Sequence, residues 1–170
     1  ELLLQRGAEI NLQNSNGGTA LIFAANQGHE RVVKLLLRHG AEVNLQRSSG
    51  ETALMSAADY GHERVVELLL RHGAGVNLQS SKGFTALIVA ANKGRERVVE
   101  LLLRHGAKID LQISDGRTAL MYAAQEGHER VVDLLIRHGS EINVQDSSDD
   151  TALLLAAGQG HERVVELLVR

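Results

Sequence analysis

The chain has 170 residues, 44% of them hydrophobic, with 18 basic against 21 acidic side chains and a net charge of −3. That balance supplies no basic field for phosphates and no Lys/Arg run, which excludes nucleic acid and anionic membrane surfaces as expected partners. Absence of Cys excludes disulfides and thiolate metal sites, and aromatics at only 2% leave Leu, Val and Ala to build the core, a composition suited to small interlocking helices. Apolar runs are too short to span a membrane, so a soluble protein is expected, inside the cell in the cytoplasm or nucleus.

From the N-terminus, residues 1–13 read as the tail of a repeat. The triplet Thr-Ala-Leu then begins at Thr19, Thr52, Thr85, Thr118 and Thr151, a spacing of 33 residues that never slips. Such a fixed period is the mark of a stacked array. The full units run 14–46, 47–79, 80–112 and 113–145, a partial unit covers 146–170, and residues 1–170 are expected to form one array.

Each unit punctuates itself alike. Thr19 and its equivalents stand where a helix N-cap is wanted, before a short Ala-rich run closed by Gly28, Gly61, Gly94, Gly127 or Gly160. A second helix follows, residues 29–39 in the first full unit. There Val32, Val33, Leu35, Leu36 and Leu37 cover an arc too wide for one wet side, so neighbours must cover it on both sides. It ends at Gly40, Gly73, Gly106 or Gly139. On its outer face Glu67 with Arg71, Glu100 with Arg104 and Asp133 with Arg137 stand at i,i+4 in the favourable order. The remainder of each unit, an extended arm and a Ser/Gly-rich tetrad, reads as a projecting finger with a turn at its tip. The fold class expected is an all-α repeat solenoid of stacked helix-turn-helix units with β-hairpin-like finger loops.

Gly50, Thr52, Leu54, Ala57, Ala58, Gly61, His62, Val65, Val66, Leu69, Gly73, Ala74, Val76 and Asn77, with their equivalents one period away, resemble the repeat of the ankyrin family along the whole chain. The resemblance implies a non-catalytic protein-interaction module in which fingers and first helices line a concave face. Two departures stand out. The family's Pro is Ala at 20, 53, 86, 119 and 152, and the His after its Leu is Ile22, Met55, Ile88, Met121 or Leu154. The junction of finger and helix is therefore expected to rest on apolar packing. In addition, Asp149 replaces the turn glycine found at 17, 50, 83 and 116, and strain is expected there if the position needs positive φ.

No active site is expected. His39, His72, His105 and His138 recur once per unit, and stacked helices lie roughly 8–10 Å apart, so one ion cannot join two of them. His29-Glu30 is no zinc-protease motif, because Val33 stands where the second ligand would be. Neither a phosphate-binding glycine motif nor a serine paired in sequence with a base is present. No metal, no other cofactor and no catalytic residue is expected. Asn11, Asn44, Asn77 and Asn143, with Asp110, are expected to satisfy turn backbone.

Units 14–46 and 47–79 agree at 24 of their 33 positions, and the differences gather in the finger tip and first helix while the second helix hardly changes. The variable set, taken as the partner-binding residues, comprises Phe23, Gln27, Glu51, Ser56, Asp59, Tyr60, Phe84, Val89, Asn92, Lys93, Arg117, Tyr122, Gln125 and Glu126. It holds every aromatic of the chain, and these are expected to be exposed anchors for a protein or peptide partner. Joint alanine replacement of Tyr60, Phe84 and Tyr122 should then abolish binding without unfolding. The competing expectation is a structural or engineered scaffold with no cognate partner, the units having drifted at tolerant sites. A monomer is expected, or weak end-to-end association through Leu2, Leu3, Leu4 and Leu168.

Overall fold

A computed structural model describes residues 7–170. Among them ten helices follow in strict alternation: α1 (Ala20–Asn26), α2 (Glu30–Arg38), α3 (Ala53–Tyr60), α4 (Glu63–Arg71), α5 (Ala86–Asn92), α6 (Glu96–Arg104), α7 (Ala119–Gln125), α8 (Glu129–Arg137), α9 (Ala152–Gln159) and α10 (Glu162–Leu168). Each odd-numbered helix packs on the even-numbered one that follows and on the next odd-numbered helix, so helix pairs stack in a row. The chain is an all-α solenoid, and no helix among the described residues is long and apolar enough to cross a membrane.

Local chemistry starts each first helix. Thr19, Thr52, Thr85, Thr118 and Thr151 sit in extended backbone and accept, through Oγ1, the N–H three residues on, a cap worth about 1 kcal/mol. Alanine pairs such as Ala57–Ala58 and Ala90–Ala91 have no exposed surface. Such small side chains let successive first helices pack closely on one another. Ile22, Met55, Ile88 and Met121 are buried, so apolar packing fills the finger-to-helix junction in the four full units, whereas Leu154, the fifth equivalent, is 55% exposed. The second helices bury Val65, Val66 and Leu69 in α4, and likewise in α6 and α8.

The histidines close helix ends. His39, His72, His105 and His138 place Nδ1 2.8 Å from the carbonyl four residues back. A carbonyl only accepts, so Nδ1 carries the proton. His62, His128 and His161 direct Nε2 to the carbonyls of Asn26, Asn92 and Gln125 in the preceding unit, and Arg95 does the same with Nε to Asp59. The ion pairs expected on α4, α6 and α8 are formed, each worth roughly a few tenths of a kcal/mol at such exposure.

Each finger is a tight turn closed by its own backbone: Arg47 N–H donates to Glu51 O and Gly50 N–H to Arg47 O, with equivalents in every unit. Gln46 and Thr52 form an isolated bridge, so the fingers are hairpin-like turns without strands among the described residues. Successive fingers are laced together by Ser48 N–H to Asn16 O, Ser81 to Ser49, Ser114 to Lys82 and Ser147 to Asp115. The asparagines also act between units. Asn44 Oδ1 accepts Gly75 N–H while its Nδ2 donates to Gly73 O, and Asn77 treats Lys108 and Gly106 alike. Their targets are the turns of the following unit rather than their own. Gln13, Gln46 and Gln79 bridge in the same sense, each donating to its own finger and to the glutamine carbonyl one period on.

Asp149 adopts φ +63°, alone among the non-glycine residues described. A side chain in this left-handed region costs an L-residue about 1–2 kcal/mol, less for Asp than for most. Asp149→Gly is accordingly expected to stabilise the last finger by about 0.5–1 kcal/mol, read as a higher urea midpoint. A lower midpoint would mean that the aspartate itself holds the turn.

At the C-terminal end Leu168 is buried, 7% exposed, against the expectation that it is an open apolar face. It packs into the core with Val164, and the exposed apolar groups at that end are Leu154 and Val169. Leu2, Leu3 and Leu4 lie outside the described residues.

Candidate functional site

The finger tips and first helices together present one surface, and the structure sorts the variable residues on it into three settings. In the first, Phe23 on α1 is half exposed. The ring lies against Gly18, where an added Cβ would come within 2.9 Å of it. Arg47 from the next finger stacks its guanidinium 5.4 Å from the ring centroid and pairs with Glu51 at 3.3 Å. Glu51 is thereby tied down within the chain. Arg47 Nε is buried and has no hydrogen-bond partner among the described residues, so the stack on Phe23 and the pair with Glu51 hold this side chain.

Tyr60, at the end of α3, is also half exposed and stacks on His62 with centroids 6.0 Å apart. Because His62 is itself pinned to Asn26 O at 3.0 Å, the phenol stands on a rigid mount. Gln27, Lys93 and Glu126, at the ends of α1, α5 and α7, are exposed, whereas Asp59, Asn92 and Gln125 are intermediate. Asn92 and Gln125 lend their carbonyls to the histidines of the next unit.

The third setting is a network across two units. Phe84 and Tyr122 meet with centroids 5.8 Å apart, tilted 43°. Arg117 lies 5.9 Å from the Tyr122 centroid, donates from Nη1 to Gln125 Oε1 at 2.9 Å and from Nε to Asp146 Oδ2 at 3.1 Å. Burial alone would raise the Asp146 carboxyl. Accepted bonds from Ser148 and Asp150 N–H, together with Arg117, outweigh it and hold the group below the usual carboxylate range. Burial, reinforced by Asp115, raises the Tyr122 phenol, so it stays neutral at physiological pH.

Three expectations need correction. Ser56 is buried, 2% exposed, and belongs to the interior rather than to the surface. Phe84 and Tyr122 are only partly exposed and pack against the core cluster. Alanine there would therefore remove core contacts, so the triple variant does not separate binding from folding. The Ser56 hydroxyl is buried with no hydrogen-bond partner, which normally costs about 1–3 kcal/mol. Ser56→Ala is thus expected to be neutral or to stabilise by up to about 1 kcal/mol. A loss above that in chemical denaturation would show that the hydroxyl is engaged.

Arg47 and Asp146 contact residues of the variable set, Arg47 at Phe23 and Asp146 at Arg117, and Lys82 is exposed on a finger, though unit comparison did not single them out. Arg47 and Asp146 belong to the column Asn14, Arg47, Ser80, Ile113, Asp146, which varies as much as the columns that were singled out. Asn14 and Asp146 cap their finger turns with side-chain oxygens, accepting from residues two and four ahead. Ser80 accepts from Phe84 N–H. Arg47 and Ile113 cannot accept. Arg47 packs back on Phe23, while Ile113 is buried.

Ser81 and Ser114 spend their hydroxyl protons on Ser49 and Lys82 carbonyls, and one ring nitrogen of each of His39, His62, His72, His105, His128, His138 and His161 lies at a carbonyl. Among the described residues no three His, Asp or Glu side chains converge as metal ligands. A family model described as ankyrin repeats, in three copies, matches residues 1–80, 49–113, 72–146 and 111–170. No curated protein matches the chain at a significant level.

Proposed function

The chain belongs to the ankyrin repeat family, whose members generally serve protein–protein interaction, and from that premise we propose a non-catalytic scaffold that holds a protein or peptide partner. The binding surface is that of finger tips and first helices, residues 1–170 act as one array, and the work is done in the cytoplasm or nucleus. One observation carries the reading. Side chains that differ between near-identical units gather in the finger tips and first helices, where Phe23 and Tyr60 stand half exposed, packed on Arg47 in one case and on His62 in the other. Exposed aromatics have few rotatable bonds and lose little entropy on binding, which is why they serve as interface anchors. A net charge of −3 favours a protein over a nucleic acid as the occupant.

The test compares the chain with a Phe23→Ala, Tyr60→Ala double variant in affinity capture from a lysate of the source organism. These two aromatics are the right pair because neither belongs to the packed core. The expected result is a partner held by the parent and lost by the variant, with thermal midpoints within about 2 °C of each other. Identical background from both would favour a structural scaffold with no cognate partner.

A further inference from the structure

Phe84 occupies the finger-tip position that is Gly18, Glu51, Arg117 or Asp150 elsewhere, and Val89 the first-helix position that is Phe23, Ser56, Tyr122 or Leu155. Between the third and fourth full units the large Tyr122 reaches the Phe84 ring, with centroids 5.8 Å apart. One unit earlier the corresponding residues are Glu51 and Val89. The smaller Val89 leaves a cleft of about 290 Å³ between the fingers, walled by Met55, Phe84 and Val89 and bordered by Glu51 and Lys82.

The charges at this cleft are unequal in what they can still do. Glu51 is matched by Arg47 at 3.3 Å. Lys82 is exposed and makes no ion pair among the described residues. Apolar walls beside one unmatched cation favour a ligand that is apolar where it enters and anionic where it leaves. A basic flank would face Lys82 without compensation.

We propose that this cleft receives one large aliphatic or aromatic side chain from an extended segment of a protein partner, with a neighbouring Asp or Glu carboxylate paired to Lys82. The assignment rests on the scaffold reading above and names the chemistry of its occupant. Extended geometry suits the site because successive residues of such a segment point to opposite sides, one into the cleft and the next along the finger row.

Val89→Tyr tests it by writing in the residue that the next unit already carries at this position, filling the cleft with a side chain the fold accommodates at Tyr122. The probe is a library of short random peptides displayed on phage and selected on the intact chain. The expected result is an enriched set pairing a large apolar residue with a nearby Asp or Glu, weakened about tenfold or more by Val89→Tyr and by Lys82→Glu. Exchanging the peptide acid for Lys should recover binding to Lys82→Glu. No enrichment, enrichment without the apolar–acidic pair, or binding unchanged by both substitutions overturns the assignment. Should Val89→Tyr lower the melting temperature, Lys82→Glu on its exposed finger decides alone. A cellular partner released by the Phe23, Tyr60 variant but retained by Val89→Tyr and Lys82→Glu would sink the cleft assignment and leave the scaffold reading standing.

Discussion

Leu102→Ala is expected to lower the stability of the array by about 2–5 kcal/mol, the range for deleting a fully buried leucine side chain and leaving a cavity. Leu102 has no exposed surface and lies on α6, with helix pairs packed on both sides. In a stacked array each unit touches only its neighbours, so stability is close to a sum of unit and interface terms. A central leucine contributes to two interfaces at once. Leu168, its equivalent on α10, is 7% exposed and has packed elements on one side only among the described residues. Leu168→Ala should therefore cost about half as much. Guanidinium unfolding followed by circular dichroism measures both. Equal losses for the two variants would mean that the row does not behave as a chain of nearest-neighbour interfaces.

Gly50→Ala is the second large effect, about 2–4 kcal/mol, and has two separable causes. Gly50 holds φ +78° at the finger turn, a conformation that costs an alanine about 1–2 kcal/mol. A Cβ there would also stand 2.5 Å from Ser81 N and 2.8 Å from Ser80 Cα, which are backbone atoms of the next finger and cannot swing aside. Room can come only from parting the two fingers, at the expense of the Ser81 N–H to Ser49 O bond. Gly40→Ala isolates the first cause. Gly40 has φ +86°, yet nothing lies within 4 Å of its would-be Cβ. The difference between the two variants in urea titration measures how tightly adjacent fingers are held. Indistinguishable midpoints would mean that the finger row is loose.

The proposed binding surface is less legible in the sequence than the fold. Position in the repeat singled out Phe23 and Tyr60, and both stand half exposed. Phe84 and Tyr122 fall in the same variable set, but each lies within reach of the other, and their contact draws both against the core. Ser56 varies between units for yet another reason, since it is buried where its counterpart Phe23 is exposed. Variation marks where the units differ. Whether a differing side chain faces a partner or a neighbour depends on the size of the residue one period away.

What the sequence by itself determined is what short-range chain chemistry decides, multiplied by a strict period of 33. The threonine caps, the closing glycines, the two helices of each unit, the turn tetrads and the left-handed strain at Asp149 all depend on residues a few positions apart. What only the tertiary structure decided are relations across one period. Asn44 serves the turn at Gly75, Gln46 reaches Gln79, Arg117 holds Asp146, and Val89 lines a cleft at the position where, one unit on, Tyr122 meets Phe84. Each spans 29 to 38 residues of chain, and each is set by the distance at which one unit packs on the next. That distance follows from the bulk of alanines, valines and leucines packed together throughout the stack, so no local pattern encodes it.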